Sequence, residues 1–373
     1  MGKTRQRGKL GPMTHVRMGV VGTGRMAATM IGAAARMNSV TVDGVASASG
    51  STDRARSIAT AFGIAHAYGD PASMFARDDI DLIYIATETH SHARVSIAAL
   101  EAGKSVLCEK PFATSLAEGQ LVIDAARRSK ALFVEALWTM LLPAYRRAKE
   151  IVHSKEIGAT THLTASFGYP TSPSLNRGPS DACGGVLLDR AVYPVSLAIK
   201  LMGPVEHVDA AIIHGADDVD VEASLQLVHA SGGHSQLTAS LSTLLSNEAV
   251  ISGTGGSVTI EAPLVGSELI TIRQIKSDPP PHAAGTHSPQ QTLKERLRAI
   301  PALRRLHRQL AGGRREHHHY GANQYLPLLE HVVELFACRR TESDVVPLDL
   351  SVEVARVTDL ARSVGTKLHR EVR

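Results

Sequence analysis

Short apolar runs alternate with amphipathic segments along the first third of the chain. The apolar runs are rich in Val, Ile and Leu, which is typical of strands buried on both faces of a parallel sheet. Strands are expected at 16–21, 40–46, 81–86, 106–108 and 131–135, and helices at 25–37 and 54–62. This repeated alternation predicts an α/β fold that begins with a doubly wound parallel sheet.

The pattern changes after about residue 160, where strand-like runs follow one another without long helices between them. Strands are expected at 161–167, 207–213, 223–229, 236–241, 249–253, 257–261 and 269–275. Successive strands of this kind predict a mostly antiparallel sheet. Two closing helices are expected at 323–338 and 350–364.

Length and composition are typical of a globular protein with more than one domain. The 373 residues exceed what one core usually holds. No apolar run approaches the ~18 residues of a membrane span. The basic N-terminal residues lack the apolar stretch of a secretion signal, so a location in the cytoplasm is expected.

Charge and cysteine content argue against several classes of protein. The net charge of +4 is too small to predict nucleic-acid binding. Cys108, Cys183 and Cys338 are odd in number and lack CxxC spacing, which argues against a disulfide framework or a zinc site. The adjacent side chains of His317–His319 point in different directions and are not expected to bind one metal ion together.

Positive charge is concentrated between Lys294 and Arg315, within an expected insertion at about 280–318. Apolar residues recur there at helical spacing with arginines between them, which predicts an amphipathic basic helix with Pro301 as a candidate kink. Two interpretations are open. The helix packs on its own protein with a solvated charged face, or it forms a lid or an anion-binding patch at the active site.

A glycine-rich turn follows the first predicted strand. Its sequence, Gly-Thr-Gly-Arg-Met-Ala at 22–27, matches the dinucleotide-binding fingerprint, with an alanine in place of the third glycine. The N-terminus of the helix that follows would bind the pyrophosphate of a nucleotide. The predicted contacts in this turn are Gly22, Thr23, Gly24, Arg25 and Met26.

A charged pair ends the buried strand at 106–108. Glu109 and Lys110 are followed by Pro111, which disfavours helical backbone at Lys110 and favours an extended conformation. Ligands of open α/β sheets bind at the carboxyl edge of the strands. Glu-Lys-Pro at this edge therefore predicts a functional lysine.

These motifs together resemble the two-domain NAD(P)-dependent sugar, cyclitol and dihydrodiol dehydrogenases grouped with glucose–fructose oxidoreductase and inositol 2-dehydrogenase, the Gfo/Idh/MocA family. The resemblance runs from about Val16 to the C-terminal helix. The matching segments are the turn at 22–27, 86–87 with His92, 99–104 leading into 109–111, 184–189 with Tyr193, and 135–139 with Pro143. The last of these looks most like the dihydrodiol and xylose dehydrogenase branch.

The resemblance implies a division of the chain into a tail and two domains. A disordered basic tail is expected at 1–14, a Rossmann dinucleotide-binding domain at 15–137, and an α+β substrate-binding and dimerisation domain at 138–373. The large, mostly antiparallel sheet of the second domain is expected to carry the substrate pocket on its helix-covered side. An uncovered apolar face would pair subunits into a homodimer or homotetramer.

The resemblance also implies the roles of individual residues. Lys110, Asp189 and Tyr193 would surround the reacting carbon, and Asp189 and Tyr193 share a face if their segment is helical. Hydride transfer at a hydroxyl or keto carbon needs a proton to move, so a Tyr or Lys of lowered pKa is expected there. Further cofactor contacts are expected at Thr87, His92, Glu109 and Lys110, and substrate contacts at Lys110, Trp138, Arg190 and Tyr193.

Several positions depart from the family pattern and leave the substrate open. Cys183 stands where the first of three glycines is common, Arg190-Ala191 replaces an apolar–glycine pair, and Met140 replaces an arginine. Two interpretations of Arg190 are open. It binds an anionic group of the substrate, or it pairs with a surface carboxylate.

The loop after the second strand bears on the choice of cofactor. NAD enzymes typically place Asp or Glu at this strand end to bind the ribose hydroxyls, and none occurs before Asp53. Ser49, Ser51 and Arg54 could instead donate to a 2′-phosphate. NADP is therefore expected, with NAD as the alternative and with Arg54 alternatively a helix residue without a cofactor contact.

The expected function is NAD(P)-dependent hydride transfer to or from a hydroxyl or keto carbon of a sugar, cyclitol or trans-dihydrodiol. Two alternatives stay open on sequence grounds. One is an NAD-using glycosidase of the same family, and the other is a non-catalytic nucleotide-sensing protein that kept the fold.

Overall fold

The structure, a computed structural model, describes residues 15–170, 185–215, 218–275 and 313–369. Two sheets with their helices make up this part of the chain. None of the helices within these ranges is long and apolar enough to cross a membrane. Cys183 and the tail at 1–14 lie outside the described residues.

The first sheet is parallel and has six strands in the order β3-β2-β1-β4-β5-β6. Its strands are β1 (Val16–Val21), β2 (Val40–Ala46), β3 (His66–Tyr68), β4 (Leu82–Ile85), β5 (Ser105–Cys108) and β6 (Phe133–Glu135). Each pair of neighbours is parallel. The strand order reverses between β1 and β4, so the carboxyl ends of these two strands flank the crevice where such sheets bind ligands.

Helices cover both faces of the first sheet. They are α1 (Arg25–Ala34), α2 (Thr52–Phe62), α3 (Pro71–Phe75), α4 (His92–Glu101) and α5 (Leu116–Ser129). Every residue of β4 and β5 is buried because helices pack above and below them. The predicted doubly wound fold is confirmed. A short 3₁₀ turn at Trp138–Leu141 and helix α6 (Pro143–His153) then lead to the second sheet.

The second sheet has nine strands in the order β14-β13-β12-β11-β7-β10-β9-β8-β15. They are β7 (Thr160–Gly168), β8 (Val205–His214), β9 (Asp220–His229), β10 (His234–Ser240), β11 (Ala249–Gly253), β12 (Gly256–Ile260), β13 (Leu269–Gln274), β14 (Arg314–His317) and β15 (Thr366–His369). Two of its pairs, β7 with β10 and β8 with β15, are parallel, and the other pairs are antiparallel. The prediction of a large, mostly antiparallel sheet is confirmed.

The two faces of the second sheet differ in polarity. Leu237 and its neighbours Ala165 and Leu225 are buried on the face where α7 (Val192–Met202) packs on β7 and β10 and α9 (Leu348–Val364) packs on β8. On the other face, Gln236 and its neighbours Thr164 and Gln226 are exposed. The expectation of an apolar uncovered face is therefore wrong, because strand alternation directs the apolar side chains under the helices. Helix α8 (Leu326–Ala337) completes the second domain.

The predicted basic helical insertion is wrong at its C-terminal end. Residues 276–312 lie outside the described part of the chain, but Arg314–His317 forms strand β14 rather than a helix. This strand pairs antiparallel with β13, and the Glu316 carboxylate accepts a hydrogen bond from Arg147 of α6 at 3.0 Å. The pairing with β13 and the contact with Arg147 hold this segment as a strand. The helical spacing of apolar residues in the sequence does not reveal these partners.

Candidate active site

The glycine-rich turn brings β1 close to the end of β4. Gly22 has φ +131°, and a Cβ atom there would lie 2.2 Å from the Ala86 carbonyl oxygen. Gly24 precedes α1 without a side-chain cap, and a Cβ atom at this residue would have no protein atom within 4 Å. The first turn of α1 also lacks an acidic residue. Open space before an uncapped helix N-terminus fits the pyrophosphate of a dinucleotide.

Polar side chains without a carboxylate form the loop after β2. Ser49 is exposed, and its hydroxyl lies 3.1 Å from that of Ser47. Ser51 caps α2 by accepting a hydrogen bond from the Arg54 backbone N–H. The Arg54 side chain is exposed on the first turn of that helix. The loop can therefore offer hydroxyl and guanidinium donors to a ribose phosphate, and it offers no carboxylate to ribose hydroxyls before Asp53.

Thr87 and His92 connect the ends of β4 and β5 through backbone groups. The buried His92 ring places Nδ1 2.7 Å from the Pro111 carbonyl oxygen and Nε2 3.2 Å from that of Thr87. The Ser91 hydroxyl donates to Thr87 Oγ1 at 2.7 Å. His92 thus fixes the loop that carries Lys110, and Thr87 is the more accessible of the pair.

Glu109 is a buried carboxylate held by two donors. The Tyr84 hydroxyl donates to Glu109 Oε1 at 2.6 Å, and the Lys110 backbone N–H donates to Glu109 Oε2 at 3.3 Å. Burial raises the pKa of Glu109, and the hydrogen bond from Tyr84 opposes that rise. The peptide bond between Lys110 and Pro111 is cis. Glu109 therefore contributes to the geometry of the Lys110 backbone.

The structure brings Lys110, Asp189 and Tyr193 together. Lys110 Nζ donates to the Asp189 backbone oxygen at 2.7 Å and to Asp189 Oδ1 at 2.9 Å. The same nitrogen lies 5.1 Å from the centroid of the Tyr193 ring. Asp189 belongs to a π-helical turn at Leu187–Ala191 that runs directly into α7, which begins just before Tyr193. π-helical turns within helices are frequent at functional sites.

The protonation states in this cluster differ from the expected ones. Burial raises the pKa of Tyr193 to about 12, although the Lys110 ammonium opposes the rise. Burial alone would lower the pKa of Lys110, but Asp189 and Tyr193 reverse this effect and the net pKa is raised. The expectation of a lowered pKa is therefore not met for either residue. A neutral phenol beside an ammonium is instead an arrangement that can donate protons.

Aromatic residues enclose the Tyr193 side chain. Its ring makes an edge contact with Phe167 at 5.5 Å between centroids, and a hydrogen bond from Trp138 lowers its pKa. The Trp138 ring in turn lies 4.9 Å from that of Tyr325. Trp138 is buried, which limits the area that it can offer to a substrate.

Arg190 lies inside the protein and contacts two backbone oxygens and the Asp189 carboxylate. Its side chain is 8% exposed, and its guanidinium donates to the backbone oxygens of Tyr169 and Ser240. The Arg190 Nε atom lies 3.8 Å from Asp189 Oδ2. The Asp189 side chain is 49% exposed, so this ion pair is of the kind that the second sequence-based interpretation expected. Burial lowers the pKa of this guanidinium, and Asp189 opposes that effect.

Four residues of the site were missed by the sequence analysis: Tyr84, Glu135, Phe167 and Tyr325. Tyr84 carried a usable signal, because a hydroxyl inside a fully apolar strand needs a buried partner. Glu135 ends β6, and its carboxylate accepts a hydrogen bond from the Phe112 backbone N–H at 3.2 Å. Phe167 and Tyr325 come from distant segments, and only the tertiary fold brings them to the site.

Two family models match the chain. The model described as an oxidoreductase family with an NAD-binding Rossmann fold matches residues 16–136, and the Gfo/Idh/MocA C-terminal domain matches residues 145–259. The chain belongs to the Gfo/Idh/MocA oxidoreductase family. The sequence-based assignment to this family and the predicted class of NAD(P)-dependent oxidoreductase are confirmed.

Curated relatives include a dihydrodiol dehydrogenase. Trans-1,2-dihydrobenzene-1,2-diol dehydrogenase of Mus musculus is 30% identical over 268 residues, covering 71% of this chain and 80% of the relative. An uncharacterised oxidoreductase of Rhizobium meliloti is 31% identical over 255 residues, covering 67% and 76%.

Solved structures share the fold over nearly the whole chain. KijD10, a 3-ketoreductase from Actinomadura kijaniata in complex with NADP and TDP-benzene, superposes with a TM-score of 0.77 at 22% identity, covering 96% of this chain and 100% of that one. Levoglucosan dehydrogenase in complex with NADH and levoglucosan gives a TM-score of 0.76 at 21% identity, covering 94% and 97%. At such identities the likeness shows the fold alone.

Proposed function

We propose that this protein transfers a hydride between NADP(H) and a hydroxyl or keto carbon of a sugar, cyclitol or dihydrodiol. The observation that carries the proposal is the contact of Lys110 Nζ with Asp189 and Tyr193. Lys110 lies at the carboxyl edge of the first sheet, and the other two residues come from the second domain. Ligand-binding crevices lie at this edge, so dinucleotide and substrate would meet beside the cluster.

The residues of the first domain would hold the dinucleotide. The N-terminus of α1 and the open space at Gly24 would take the pyrophosphate, and Thr87 and Lys110 would border the nicotinamide end. Bound nicotinamide supplies or accepts the hydride. The remaining requirement is a proton at the reacting oxygen, and the protein's own side chains would meet it.

Tyr193 and Lys110 would share the proton chemistry. In the reduction direction, the Tyr193 hydroxyl donates a proton to the substrate oxygen while the Lys110 ammonium stabilises the developing negative charge. In the oxidation direction, the phenolate accepts the proton of the substrate hydroxyl. Asp189 orients the ammonium through its Oδ1 atom at 2.9 Å. Because burial raises the pKa of Tyr193 to about 12, its hydroxyl is protonated near neutral pH and can act as the donor in carbonyl reduction.

Two variants and their matched controls test these roles. Lys110→Met and Tyr193→Phe should reduce turnover by about 100-fold or more, the usual contribution of a proton-transferring group, and should retain dinucleotide binding. Lys367→Met and Tyr68→Phe change the same residue types outside the cluster of Lys110, Asp189 and Tyr193 and should keep wild-type turnover. Turnover is measured by nicotinamide absorbance on a panel of aldoses, keto-sugars, polyols and dihydrodiols.

The outcomes separate this proposal from its alternatives. Wild-type turnover in both site variants would remove the assigned roles. Product formation without net consumption of nicotinamide would identify the NAD-using glycosidase chemistry. Tight dinucleotide binding without turnover on the whole panel would favour a nucleotide-sensing protein.

The preference for NADP(H) over NAD(H) rests on the loop after β2. Ser49→Asp places a carboxylate where ribose hydroxyls would bind and a phosphate would be repelled, so the order of affinities should reverse. Each charge-assisted hydrogen bond contributes roughly 1.5–3 kcal/mol, which corresponds to about tenfold or more in Kd. Fluorescence titration of both dinucleotides measures this. Ser57→Asp, exposed on α2, is the matched control, and a wild type that prefers NAD(H) would contradict the proposal.

We also propose that the uncovered face of the second sheet joins subunits into a homodimer or homotetramer. Support comes from nine strands that leave one face without covering helices among the described residues. A location in the cytoplasm remains a prediction from the sequence.

A further inference from the structure

Arg190 is buried beside the proposed catalytic cluster and is fixed at two points. Its Nη1 atom donates to the backbone oxygen of Ser240 at 2.6 Å and to that of Tyr169. Ser240 ends β10, and Tyr169 follows the last residue of β7. The guanidinium therefore ties the π-helical turn of Asp189 to the ends of two neighbouring strands of the second sheet.

The Asp189 carboxylate lies between two cations. Lys110 Nζ donates to Oδ1 at 2.9 Å, and Arg190 Nε lies 3.8 Å from Oδ2. The first contact is a hydrogen bond, and the second is an ion pair beyond hydrogen-bond distance. Each oxygen thus faces a different cation, which restricts rotation of the carboxylate.

Phe167 links Arg190 to Tyr193 by packing. The Arg190 Cζ atom lies 5.6 Å from the centroid of the Phe167 ring, a distance suitable for a cation–π interaction. The Phe167 ring also makes an edge contact with the Tyr193 ring, with 5.5 Å between the ring centroids. A change at Arg190 can therefore reach Tyr193 through Asp189 and through Phe167.

We propose that Arg190 is a positioning residue that fixes the Asp189 carboxylate, and through it Lys110 and Tyr193, and that its charge sets the pH range of proton transfer. The inference rests on the proposed roles of these three residues.

The electrostatic consequence has a defined sign. Asp189 raises the proton affinity of both Lys110 and Tyr193. A second cation on the same carboxylate weakens that effect because it shares the negative charge. Loss of the Arg190 charge should therefore shift the proton-transfer step to higher pH.

Other ionisable groups lie around the cluster and remain unchanged in such a variant. Those that face it from neighbouring elements are Glu109 after β5, Glu135 from β6, Tyr145 from α6, Tyr169 after β7, Asp220 from β9 and Tyr325 before α8. A shift that occurs in Arg190→Gln and not in Arg190→Lys can therefore be assigned to the charge of Arg190.

Two variants separate charge from position in the full-length enzyme. Arg190→Gln removes the charge, and Arg190→Lys retains it but cannot reproduce the guanidinium fork. The rate of substrate oxidation is measured against pH, together with KM and the Kd of NADPH. Arg147→Gln is the matched control, because Arg147 is a half-buried arginine of α6 that pairs with Glu156 and Glu316.

We expect Arg190→Gln to move the limb on which kcat of oxidation rises with pH upward by about half a pH unit or more, and to lower kcat about tenfold. Arg190→Lys should lower kcat while the limb stays in place. The Kd of NADPH should remain within about twofold of the wild type in both variants, because the contacts of Arg190 lie outside the dinucleotide turn.

Three results would overturn the inference. They are an unchanged pH profile in Arg190→Gln, an unchanged kcat in Arg190→Lys, or the same effects in Arg147→Gln. If Arg190→Gln does not fold, kcat of Arg190→Lys still decides the positioning role. The activity of Lys110→Met distinguishes failure of this inference from failure of the proposed function. If Lys110→Met is inactive and Arg190→Gln behaves like the wild type, only the role of Arg190 is refuted. If Lys110→Met is active, the proposed function is refuted.

Discussion

At the scale of single residues, two glycines of one turn face opposite constraints. Gly22 has a positive φ and no room for a Cβ atom, which would lie 2.2 Å from the Ala86 carbonyl oxygen. Gly24 has φ −92° and open space around its Cβ position. The first glycine is required by the protein itself, and the second is required only if something binds in that space.

We expect Gly22→Ala and Gly24→Ala to have separable effects. Gly22→Ala should destabilise the fold by several kcal/mol, because both φ and the backbone contact oppose a side chain. Gly24→Ala should cost about 1 kcal/mol or less and should weaken dinucleotide binding about tenfold. Thermal unfolding and fluorescence titration measure the two effects. Equal dinucleotide affinity in Gly24→Ala and the wild type would argue against a pyrophosphate at this turn.

Glu135 provides a pH-dependent test of a buried carboxyl group. Burial raises its pKa from 4.5 to about 7, although the Ser351 hydroxyl and the Phe112 N–H oppose the rise. The folded state therefore binds this proton more tightly than the unfolded state. Its contribution to stability is most favourable below about pH 4.5 and is lost as the pH rises through about 7.

Glu135→Gln should remove this pH dependence. The amide keeps an acceptor for the Phe112 N–H but carries no charge at any pH. The free energy of unfolding of the variant should rise relative to that of the wild type by up to ~3 kcal/mol between pH 5 and pH 8. This figure follows from about 1.36 kcal/mol for each unit by which the pKa is raised. Urea unfolding at both pH values measures the gain. A stability difference that does not change with pH would contradict the raised pKa.

Residue identities in the site were more predictable than their contacts. Lys110, Asp189 and Tyr193 could be selected from the sequence because Glu-Lys-Pro and the Asp-to-Tyr spacing are local patterns, and the structure brings them together. The partners of Arg190 are backbone oxygens of two strand ends. No local pattern reveals such partners, because the chain ends that supply them meet only after the sheet has formed.

At the scale of elements, the pairing of β4 with β5 places a charged side chain beside a buried hydroxyl. Tyr84 is fully buried, and its hydroxyl donates to Glu109 Oε1 at 2.6 Å. Tyr145 is a matched case in α6, since its buried hydroxyl donates to the backbone oxygen of Leu264 at 2.7 Å. The two bonds differ chiefly in whether the acceptor is a carboxylate or a peptide oxygen.

We expect Tyr84→Phe to cost more than Tyr145→Phe. Hydrogen bonds to charged groups contribute about 1.5–3 kcal/mol, compared with about 0.5–1.5 kcal/mol for neutral pairs. Tyr84→Phe should also lower kcat, because Glu109 contacts the Lys110 backbone. Urea unfolding and steady-state kinetics measure both effects. If Tyr145→Phe is the more damaging substitution for stability, Glu109 does not act as a charged acceptor.

Element boundaries show where local patterns suffice. Strands β2 and β11 match the predicted ranges 40–46 and 249–253 residue for residue, because apolar runs bounded by turns define them. Helix α1 ends at Ala34, earlier than the predicted 37. Strand β14 was missed because its basic sequence is stabilised as a strand by β13 and by the Arg147–Glu316 pair.

At the scale of the whole molecule, the last helix connects the two domains. Helix α9 packs on α5 of the first domain and on α7 and β8 of the second. Its Asp359 carboxylate accepts a hydrogen bond from the backbone N–H of Leu116 at the start of α5, at 2.7 Å. Lys110 makes a second connection through Asp189. The proposed site therefore lies where the two domains already contact each other.

The uncovered face of the second sheet gives the last prediction. Gln236 lies between Thr164 and Gln226 on this face, and all three are exposed in one subunit. A polar face does not exclude association, since interfaces as a whole are about as apolar as the rest of a protein surface. Gln236→Arg would place a charge at the centre of a two-fold interface and, by symmetry, a like charge opposite it.

We expect Gln236→Arg to weaken self-association at least about tenfold, because like charges in an interface cost more than 1.4 kcal/mol. Gln120→Arg, on the exposed side of α5, is the matched control and should leave association unchanged. Sedimentation velocity at micromolar concentrations measures the assembly state of each variant. A wild type that sediments as a monomer would contradict the assembly itself. A Gln236→Arg variant that assembles like the wild type would place the contact on another surface, because an interface built on this face cannot avoid the charge at its centre.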